Sequence, residues 1–351
     1  MPLELVATGL RQCEVRAYED RAPGPGEILV RATLASEKHG TDLQFYRGET
    51  PFSGKTFSGE GSIFMPAEAS SDGGGVRPLG NMAVGVVAQV GPDVDGLQVG
   101  DRVYGYLPIR ESHTVPAGRV QLAPAGLTDD MLVCLDPALV AFTGLREAKV
   151  TLGETVAVFG LGAIGLMTAQ LAKLSGATFV VAVEPLPRRA ALGPQYGADV
   201  VFDLSEDRDA GLQIRQATEM VGVDIALETS GNHTALHHAI RGTRYGGTIV
   251  PVAWYHGEAQ GLFLGEEWHF NRHTMISGAR LESVPYRDHP RWDPGRVQDT
   301  IVGLFARGQL HVEGMLQPRV PIAQAAEAYR LIDERPGETV KLAVEFPGAG
   351  G

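Results

Sequence analysis

The stretch 155–174, TVAVFGLGAIGLMTAQLAKL, decides the fold of this chain. Its beginning, TVAVF, has the apolar composition of a strand buried on both faces of a parallel sheet. Gly160, Gly162 and Gly165 stand where this strand would turn into the following helix. We therefore predict a strand–turn–helix unit, although the uncharged run Thr155–Ala172 is as long as a membrane span.

The glycine spacing in this unit, Gly160-x-Gly162-x-x-Gly165, suits a dinucleotide phosphate site. The first glycine permits a tight turn, the second lets the backbone approach a pyrophosphate, and the third lets the helix pack on the strand. The helix N-terminus, at Ala163 and Ile164, then offers unpaired N–H groups and a partial positive charge to the phosphates. A tight strand–helix turn without a ligand is the alternative.

A second signal, Glu184, favours the dinucleotide site. It ends the apolar run FVVAVE nineteen residues after Gly165. A carboxylate there accepts hydrogen bonds from ribose hydroxyls and repels a 2′-phosphate, which favours NAD. The neighbouring Arg188 and Arg189 argue the other way, since arginines accommodate the 2′-phosphate of NADP. We predict NAD as the cofactor, with NADP as the alternative, and Glu184, Arg189 and Ser230 as further cofactor-binding residues.

Composition excludes several other classes of protein. The 351 residues suffice for about two domains. The 30 Lys+Arg and 42 Asp+Glu residues give a net charge of −12, and such an acidic surface repels nucleic acid and anionic membranes. Two cysteines, Cys13 and Cys134, are too few for a disulfide framework or a four-cysteine zinc lobe. No secretory signal is apparent at the N-terminus, so we expect a cytoplasmic protein.

The chain changes character twice along its length. Residues 1–136 are β-rich with Gly/Pro turns, which is typical of a barrel or sandwich, and 45–80 is predicted as a long excursion. Residues 137–279 alternate apolar strands with helical patterns, which predicts an α/β domain with a doubly wound parallel sheet. Residues 280–351 combine two amphipathic helices with a final strand.

Motifs spread over almost the whole chain carry a family resemblance. They are HGTDLQFYRG, LGNMAVGVVAQVG, GDRVYGY, LDPALVAFTGL, GETVAVFGLGAIGLMTAQLAK and LETSGN. Together they resemble the medium-chain dehydrogenase/reductase superfamily, the group of the zinc alcohol, sorbitol and threonine dehydrogenases. The resemblance implies a catalytic domain of the chaperonin-cap (GroES-like) fold from 1–136 and 280–351, with a Rossmann domain inserted at 137–279. It also implies a homodimer or homotetramer.

The chain departs from the zinc members of that superfamily where the resemblance would place the metal. Their Cys-Gly-Ser/Thr-Asp motif reads His39-Gly-Thr41-Asp42 here, and their Gly-His-Glu motif reads Gly-Asn81-Met. The carboxylate of their Glu-Pro motif corresponds to Asp136, and the cysteines of their structural zinc site are absent. Asparagine and methionine are poor zinc ligands, and a catalytic zinc normally has three protein ligands, so we expect no bound zinc.

Without a metal, a positioned base must take the proton of an alcohol as the hydride leaves. His39 is the predicted acid/base, because it stands at the former ligand position and imidazole titrates near neutral pH. We expect Asp136 to orient its ring, as in a His–carboxylate dyad, and the resemblance makes Thr41 a proton relay toward the nicotinamide ribose. Lys38 is a rival base or a stabiliser of the alkoxide. Asn81 is a candidate hydrogen-bond partner for a substrate hydroxyl.

The predicted function is zinc-independent hydride transfer between NAD and a secondary alcohol of a polyol, sugar or cyclitol. Polar side chains around the substrate suit such a hydroxyl-rich ligand. A zinc-free, NADPH-dependent enone or quinone reductase and a nucleotide-binding pseudoenzyme are the alternatives. Elsewhere, His237 and His238 share a helix that offers no acidic residue at metal-binding spacing, so we expect them at the surface.

Overall fold

The structure is a computed structural model, and it describes residues 1–52, 54–67, 75–203, 209–279 and 289–347. Part of the predicted excursion, at 68–74, and the start of the predicted C-terminal segment, at 280–288, lie outside the described residues.

The described residues form strands and helices in the following chain order. The strands are β1 Leu3–Gly9, β2 Gln12–Ala17, β3 Glu27–Ser36, β4 Lys55–Ser58, β5 Ile63–Pro66, β6 Arg77–Pro78, β7 Met82–Val90, β8 Arg102–Gly105, β9 Ser112–Pro116, β10 Gln121–Leu122, β11 Thr155–Phe159, β12 Phe179–Val183, β13 Val200–Phe202, β14 Val223–Glu228, β15 Thr243–Pro251, β16 Thr274–Met275, β17 Leu316–Pro321 and β18 Lys341–Glu345. The helices are α1 His39–Arg47, α2 Asp129–Val133, α3 Leu135–Ala148, α4 Ala163–Leu174, α5 Pro187–Ala190, α6 Ala210–Ala217, α7 His233–Gly242, α8 Pro294–Ala306 and α9 Ala325–Glu334.

Strands from both ends of the chain build one large sheet. Its order is β10-β8-β7-β3-β18-β17, and β9 also pairs with β3. β18 runs antiparallel to β3, with Ala343 opposite Ser36, so the C-terminal segment completes a sheet that the N-terminal segment begins. A smaller sheet, β2-β1-β6, lies beside it, and their apolar faces share a core with α9.

The middle of the chain forms a six-stranded parallel sheet of order β13-β12-β11-β14-β15-β16. The helices α3 and α4 pack on one face, and α6 and α7 pack on the other, so Val156 to Phe159 are fully buried. The predicted α/β fold with a doubly wound parallel sheet is confirmed. The uncharged run Thr155–Ala172 is β11 followed by most of α4, and no helix among the described residues is long and apolar enough to cross a membrane.

Two features of the β-rich part differ from the sequence-based expectation of strands and loops. The segment HGTDLQFYR folds as α1, because Leu43 and Tyr46 bury against the core and Gly48, with a φ of 71°, ends the helix. Within the predicted excursion 45–80, β4 and β5 pair as an antiparallel hairpin. α1 matters for function because it begins at His39.

Candidate active site

The glycine turn after β11 has the geometry that a dinucleotide site requires. Gly160 has a φ of 85°, and a Cβ atom on Gly165 would lie 1.8 Å from the Gly160 carbonyl oxygen, so no other residue fits there. Residues 162–164 open α4 and are only half-buried, which leaves the N-terminus of this helix accessible to a phosphate. The chain therefore has the cradle that a pyrophosphate would occupy.

Glu184 lies at the end of β12 and is tied to this glycine turn. The residue is 3% exposed, and its Oε2 accepts a hydrogen bond from the Leu161 N–H at 2.6 Å. Its Oε1 accepts a bond from the Leu186 N–H at 2.9 Å. Each carboxylate oxygen has a second lone pair, so the group is held in place and is still able to accept a bond from a ribose hydroxyl.

Arg188 and Arg189 point toward the returning C-terminal segment. The Arg189 Nε donates to the Thr339 carbonyl at 2.9 Å, and an Arg188 Nη1 donates to the Glu338 carbonyl at 3.2 Å. Burial lowers the pKa of Arg189, and the nearby Glu184 partly offsets this. Another nitrogen of Arg189 lies 3.8 Å from the Cβ position at Gly162, so its guanidinium stands beside the phosphate cradle.

Ser230 lies in a loop that Glu228 holds against the same turn. The carboxylate of Glu228 accepts bonds from the N–H groups of Ser230 and Gly231 at 2.8 and 3.0 Å, and from the hydroxyls of Ser230 and Tyr255. Burial raises the pKa of Glu228, although these hydrogen bonds oppose the rise. The Ser230 Cβ lies 2.9 Å from the Cβ position at Gly160, so the structure brings Ser230 to the edge of the cradle.

The predicted acid/base, His39, is paired with Glu37. Its Nε2 lies 2.6 Å from Glu37 Oε1, and the Glu37 side chain is 1% exposed. The prediction that Asp136 orients the ring of His39 is therefore wrong, because Asp136 is paired with Lys38. Sequence reasoning missed Glu37, although a charged residue at the end of the apolar strand β3 was a usable signal.

Glu37 is a buried anion that the Lys341 ammonium and the imidazole of His39 stabilise. Burial alone would raise its pKa, but His39 and Lys341 lower it, and the resulting pKa lies below the ordinary value of a glutamate. The Lys341 ammonium also donates to the Glu37 backbone carbonyl, and Lys341 is itself 3% exposed. Glu37 therefore keeps a fixed negative charge beside the imidazole at neutral pH.

Asp42, on the first turn of α1, lies near this anion. Its Oδ2 accepts a long hydrogen bond, of 3.4 Å, from the Lys38 N–H, so this carboxylate braces the turn that leads into α1. Burial first, and then the charge of Glu37, raise the pKa of Asp42 from 3.8 to about 7. The pKa values of the two carboxylates are therefore shifted in opposite directions.

Lys38 forms an ion pair with Asp136. Its Nζ lies 3.0 Å from Oδ2 and 3.3 Å from Oδ1 of Asp136, a residue that is 2% exposed. The Tyr106 hydroxyl donates to the same carboxylate at 3.1 Å. Lys38 keeps 27% of its side chain exposed, so its ammonium is held by the buried carboxylate while remaining accessible to a ligand.

Asn81 and Thr41 complete the predicted catalytic set. The Asn81 N–H donates to the Ser36 carbonyl at 2.8 Å, which fixes Asn81 beside the end of β3. Its side-chain Nδ2 is buried and has no hydrogen-bond partner among the described residues, as expected of a donor reserved for a ligand. Thr41 is half-buried on the first turn of α1, two residues after His39.

The residues at the family's zinc positions do not fit zinc. Asn81 offers an amide, which is a poor zinc ligand, and both carboxylate oxygens of Asp136 face the Lys38 ammonium, so fewer than the three protein ligands of a catalytic zinc are present. Among the described residues, the cluster of at least three His, Cys, Asp or Glu ligands close enough for a metal ion lies elsewhere, on α7 and the segment 264–268.

Comparisons with known proteins identify the family of the chain. Residues 24–158 match the alcohol dehydrogenase GroES-like domain, and residues 163–288 match the zinc-binding dehydrogenase family. D-guloside 3-dehydrogenase of Escherichia coli (strain K12) is 38% identical over 350 residues, which covers 98% of this chain and 99% of that protein. L-galactonate-5-dehydrogenase of the same organism is 28% identical over 243 residues, covering 69% of this chain and 64% of that protein.

A solved structure shows the same fold. The 2R,3R-butanediol dehydrogenase from Bacillus subtilis superposes with a TM-score of 0.75 at 22% identity, covering 98% of this chain and 99% of that one. The expected resemblance is confirmed: the chain is an oxidoreductase and belongs to the medium-chain dehydrogenase/reductase superfamily.

Proposed function

We propose that this protein is an NAD-dependent, zinc-independent dehydrogenase that oxidises a secondary hydroxyl of a sugar or glycoside to a ketone. The reaction converts R₂CHOH and NAD⁺ into R₂C=O, NADH and one proton. The observation that carries the proposal is a histidine backed by a buried carboxylate where the zinc members of the superfamily bind their metal. The name of the E. coli relative, D-guloside 3-dehydrogenase, supports a sugar as the substrate class.

His39 is the proposed base. Its Nε2 faces the Glu37 carboxylate, so the tautomer with a proton on Nε2 is favoured and Nδ1 is left to accept the proton of the substrate hydroxyl. The imidazolium that forms is then stabilised by an anion already in place, as in a His–carboxylate dyad. Glu37 therefore takes the role that the sequence first suggested for Asp136.

The remaining polar side chains are proposed to bind the substrate and stabilise charge. The Lys38 ammonium, held by Asp136, supplies positive charge for the developing alkoxide, which is the electrostatic work that a metal performs in other members. The unpartnered Nδ2 of Asn81 donates to a second hydroxyl. Thr41 passes the proton onward from the site, as the family motif implies.

The Rossmann domain, proposed at 137–279, holds the dinucleotide, whose nicotinamide accepts the hydride when bound. The glycine turn and the N-terminus of α4 receive the pyrophosphate, and Arg189 stands beside it. Glu184 accepts from the ribose hydroxyls and repels a 2′-phosphate, which favours NAD over NADP. Hydrogen bonds from Arg188 and Arg189 to backbone carbonyls support the same preference, since they commit donors that a 2′-phosphate would need.

A substrate screen tests this proposal. The full chain, with NAD⁺ and separately with NADP⁺, is offered gulosides, glucosides, free sugars, polyols and cyclitols, and reduced nicotinamide is followed by absorbance. We expect turnover of one or more glycosides with NAD⁺, loss of turnover in His39→Asn, and normal turnover in His269→Asn, which changes an exposed histidine. Preference for NADPH with enones or quinones would overturn the proposal. NADH binding without turnover of any alcohol or carbonyl would indicate a pseudoenzyme instead.

A further inference from the structure

A second cluster of ligand side chains lies on the parallel-sheet domain and shares no residue with the proposed catalytic set. It consists of His237 on α7 and of Glu266 and Glu267 on the segment 264–268, an irregular turn that is kinked at Glu266 and packs against α7. One ligand atom from each residue lies within 4.8 Å of the other two. We propose that these three residues bind a divalent cation of the zinc type.

His237 is placed as a ligand. The residue is 8% exposed, so the expectation that it lies at the surface is wrong. Its Nε2 lies 3.6 Å from Glu266 Oε2, which is too long for a hydrogen bond and leaves that nitrogen facing the carboxylate without bonding to it. The Phe263 ring contacts the imidazole edge-on, with 5.2 Å between centroids, and limits its rotation.

Glu267 supplies the second carboxylate. One of its oxygens lies 2.9 Å from a guanidinium nitrogen of Arg241, and the other is buried with no hydrogen-bond partner in the described part of the chain. Arg241 also forms an ion pair with Asp209, so it keeps a partner when Glu267 turns toward a cation. Glu266, the most exposed of the three, has 53% of its side chain in solvent and is free to adjust.

The ligand set favours zinc over magnesium. Tetrahedral zinc with bonds of about 2.0–2.2 Å places its ligand atoms roughly 3.3 Å apart, and the His237–Glu266 separation of 3.6 Å is already close to that value. One imidazole nitrogen and two carboxylate oxygens leave a fourth position for water, whereas magnesium prefers an octahedral shell of oxygens. Sequence reasoning missed the site because its acidic ligands come from a segment distant in sequence.

The test uses metal-stripped full-length protein. Zn²⁺ is titrated by calorimetry, and Co²⁺ is followed by the visible absorption of a tetrahedral site, neither of which depends on enzymatic activity. We expect about one ion per chain with micromolar or tighter affinity, and at least about tenfold weaker binding in Glu266→Gln and in His237→Ala. His238→Ala is the matched control, because this neighbour on α7 pairs with Asp209 instead, and it should bind zinc normally.

Three outcomes would overturn the inference. They are the absence of saturable Zn²⁺ binding, unchanged binding in both Glu266→Gln and His237→Ala, and loss of binding in His39→Asn. Circular dichroism of each variant separates lost ligands from lost folding, and the exposed Glu266 provides the milder of the two ligand substitutions. Magnesium is the negative control and should give no saturable signal at the same concentrations.

Discussion

Replacing Glu37 by glutamine is the sharpest perturbation of the proposed mechanism. The substitution keeps the size and a hydrogen-bonding oxygen of the side chain but removes its charge. In the structure that charge is buried, and one of its oxygens lies 2.6 Å from the imidazole of His39. If His39 accepts the substrate proton, the transition state places a developing imidazolium directly beside the missing carboxylate.

The size of the effect follows from this contact. Two unit charges whose centres are about 4 Å apart attract by about 4 kcal/mol at an effective dielectric constant of about 20. The glutamine amide recovers part of this attraction as a hydrogen bond, so we expect a net loss of about 3 kcal/mol from the transition state. At about 1.36 kcal/mol for each tenfold change in rate, kcat/KM should fall by about 10²-fold.

The assay measures kcat/KM with the best glycoside from the substrate screen and NAD⁺, for the wild type, Glu37→Gln, His39→Asn and the double variant. Because the carboxylate acts through the histidine, its loss should cost little once His39 has been replaced, and the effects of the two substitutions should be strongly non-additive. Dissociation constants for NADH should stay within about twofold of the wild type, since neither residue belongs to the phosphate cradle.

Two results would refute this reasoning. Turnover of Glu37→Gln within about threefold of the wild type would show that the buried charge is irrelevant to the chemistry. Full additivity in the double variant would show that Glu37 supports the fold or the substrate independently of His39. An Asp136→Asn variant checks the His39–Asp136 dyad that the sequence first suggested. Glu37→Gln should still lower kcat/KM when Asp136 has also been replaced.

Three further predictions concern pH, cofactor choice and packing. The pKa of Asp42 is raised from 3.8 to about 7, so between these pH values the protein takes up a proton on folding. The contribution of this group to stability is therefore lost as the pH rises through 7. In urea denaturation, Asp42→Asn should stabilise the protein by roughly 2–4 kcal/mol at about pH 8 and have little effect near pH 4. Glu184→Ala should raise the KM for NAD⁺ at least about tenfold and leave that for NADP⁺ less affected, and equal losses for both would remove its role in cofactor choice. Gly165→Ala should abolish NADH binding or lower the free energy of unfolding by more than about 3 kcal/mol, because the added Cβ would overlap the Gly160 carbonyl. Normal NADH binding by calorimetry together with normal stability would contradict this geometry.

The fold was largely predictable from the sequence because its strongest signals are local. The run TVAVF, the glycine spacing and the helical pattern after it are adjacent in the chain, and each has one structural solution. The same holds for α7, the predicted helix that carries His237 and His238, which begins at a cap formed by the Asn232 side chain. The helix α1 was not predicted, since HGTDLQFYR has only a weak apolar stripe and is fixed by tertiary burial of Leu43 and Tyr46.

The proposed active site was predictable only in part. Residue types at family positions pointed to His39, Asn81 and Asp136, but sequence alone does not say which carboxylate faces which cation. Glu37 pairs with His39 because both flank the turn between β3 and α1, whereas Asp136 arrives on α3 and meets the longer Lys38. Lys341, some three hundred positions away in the chain, stabilises Glu37 only because β18 pairs with β3.

In the proposed mechanism, His39 and its buried carboxylate remove the substrate proton without the zinc ion that other members of the superfamily use. The most direct test is the rate of NADH formation from a glycoside by protein stripped with a chelator, with its metal content verified by mass spectrometry. We expect the stripped protein to turn over at the rate of the untreated protein, with no increase when zinc is added. Loss of activity on stripping, with recovery when zinc is returned, would contradict this mechanism.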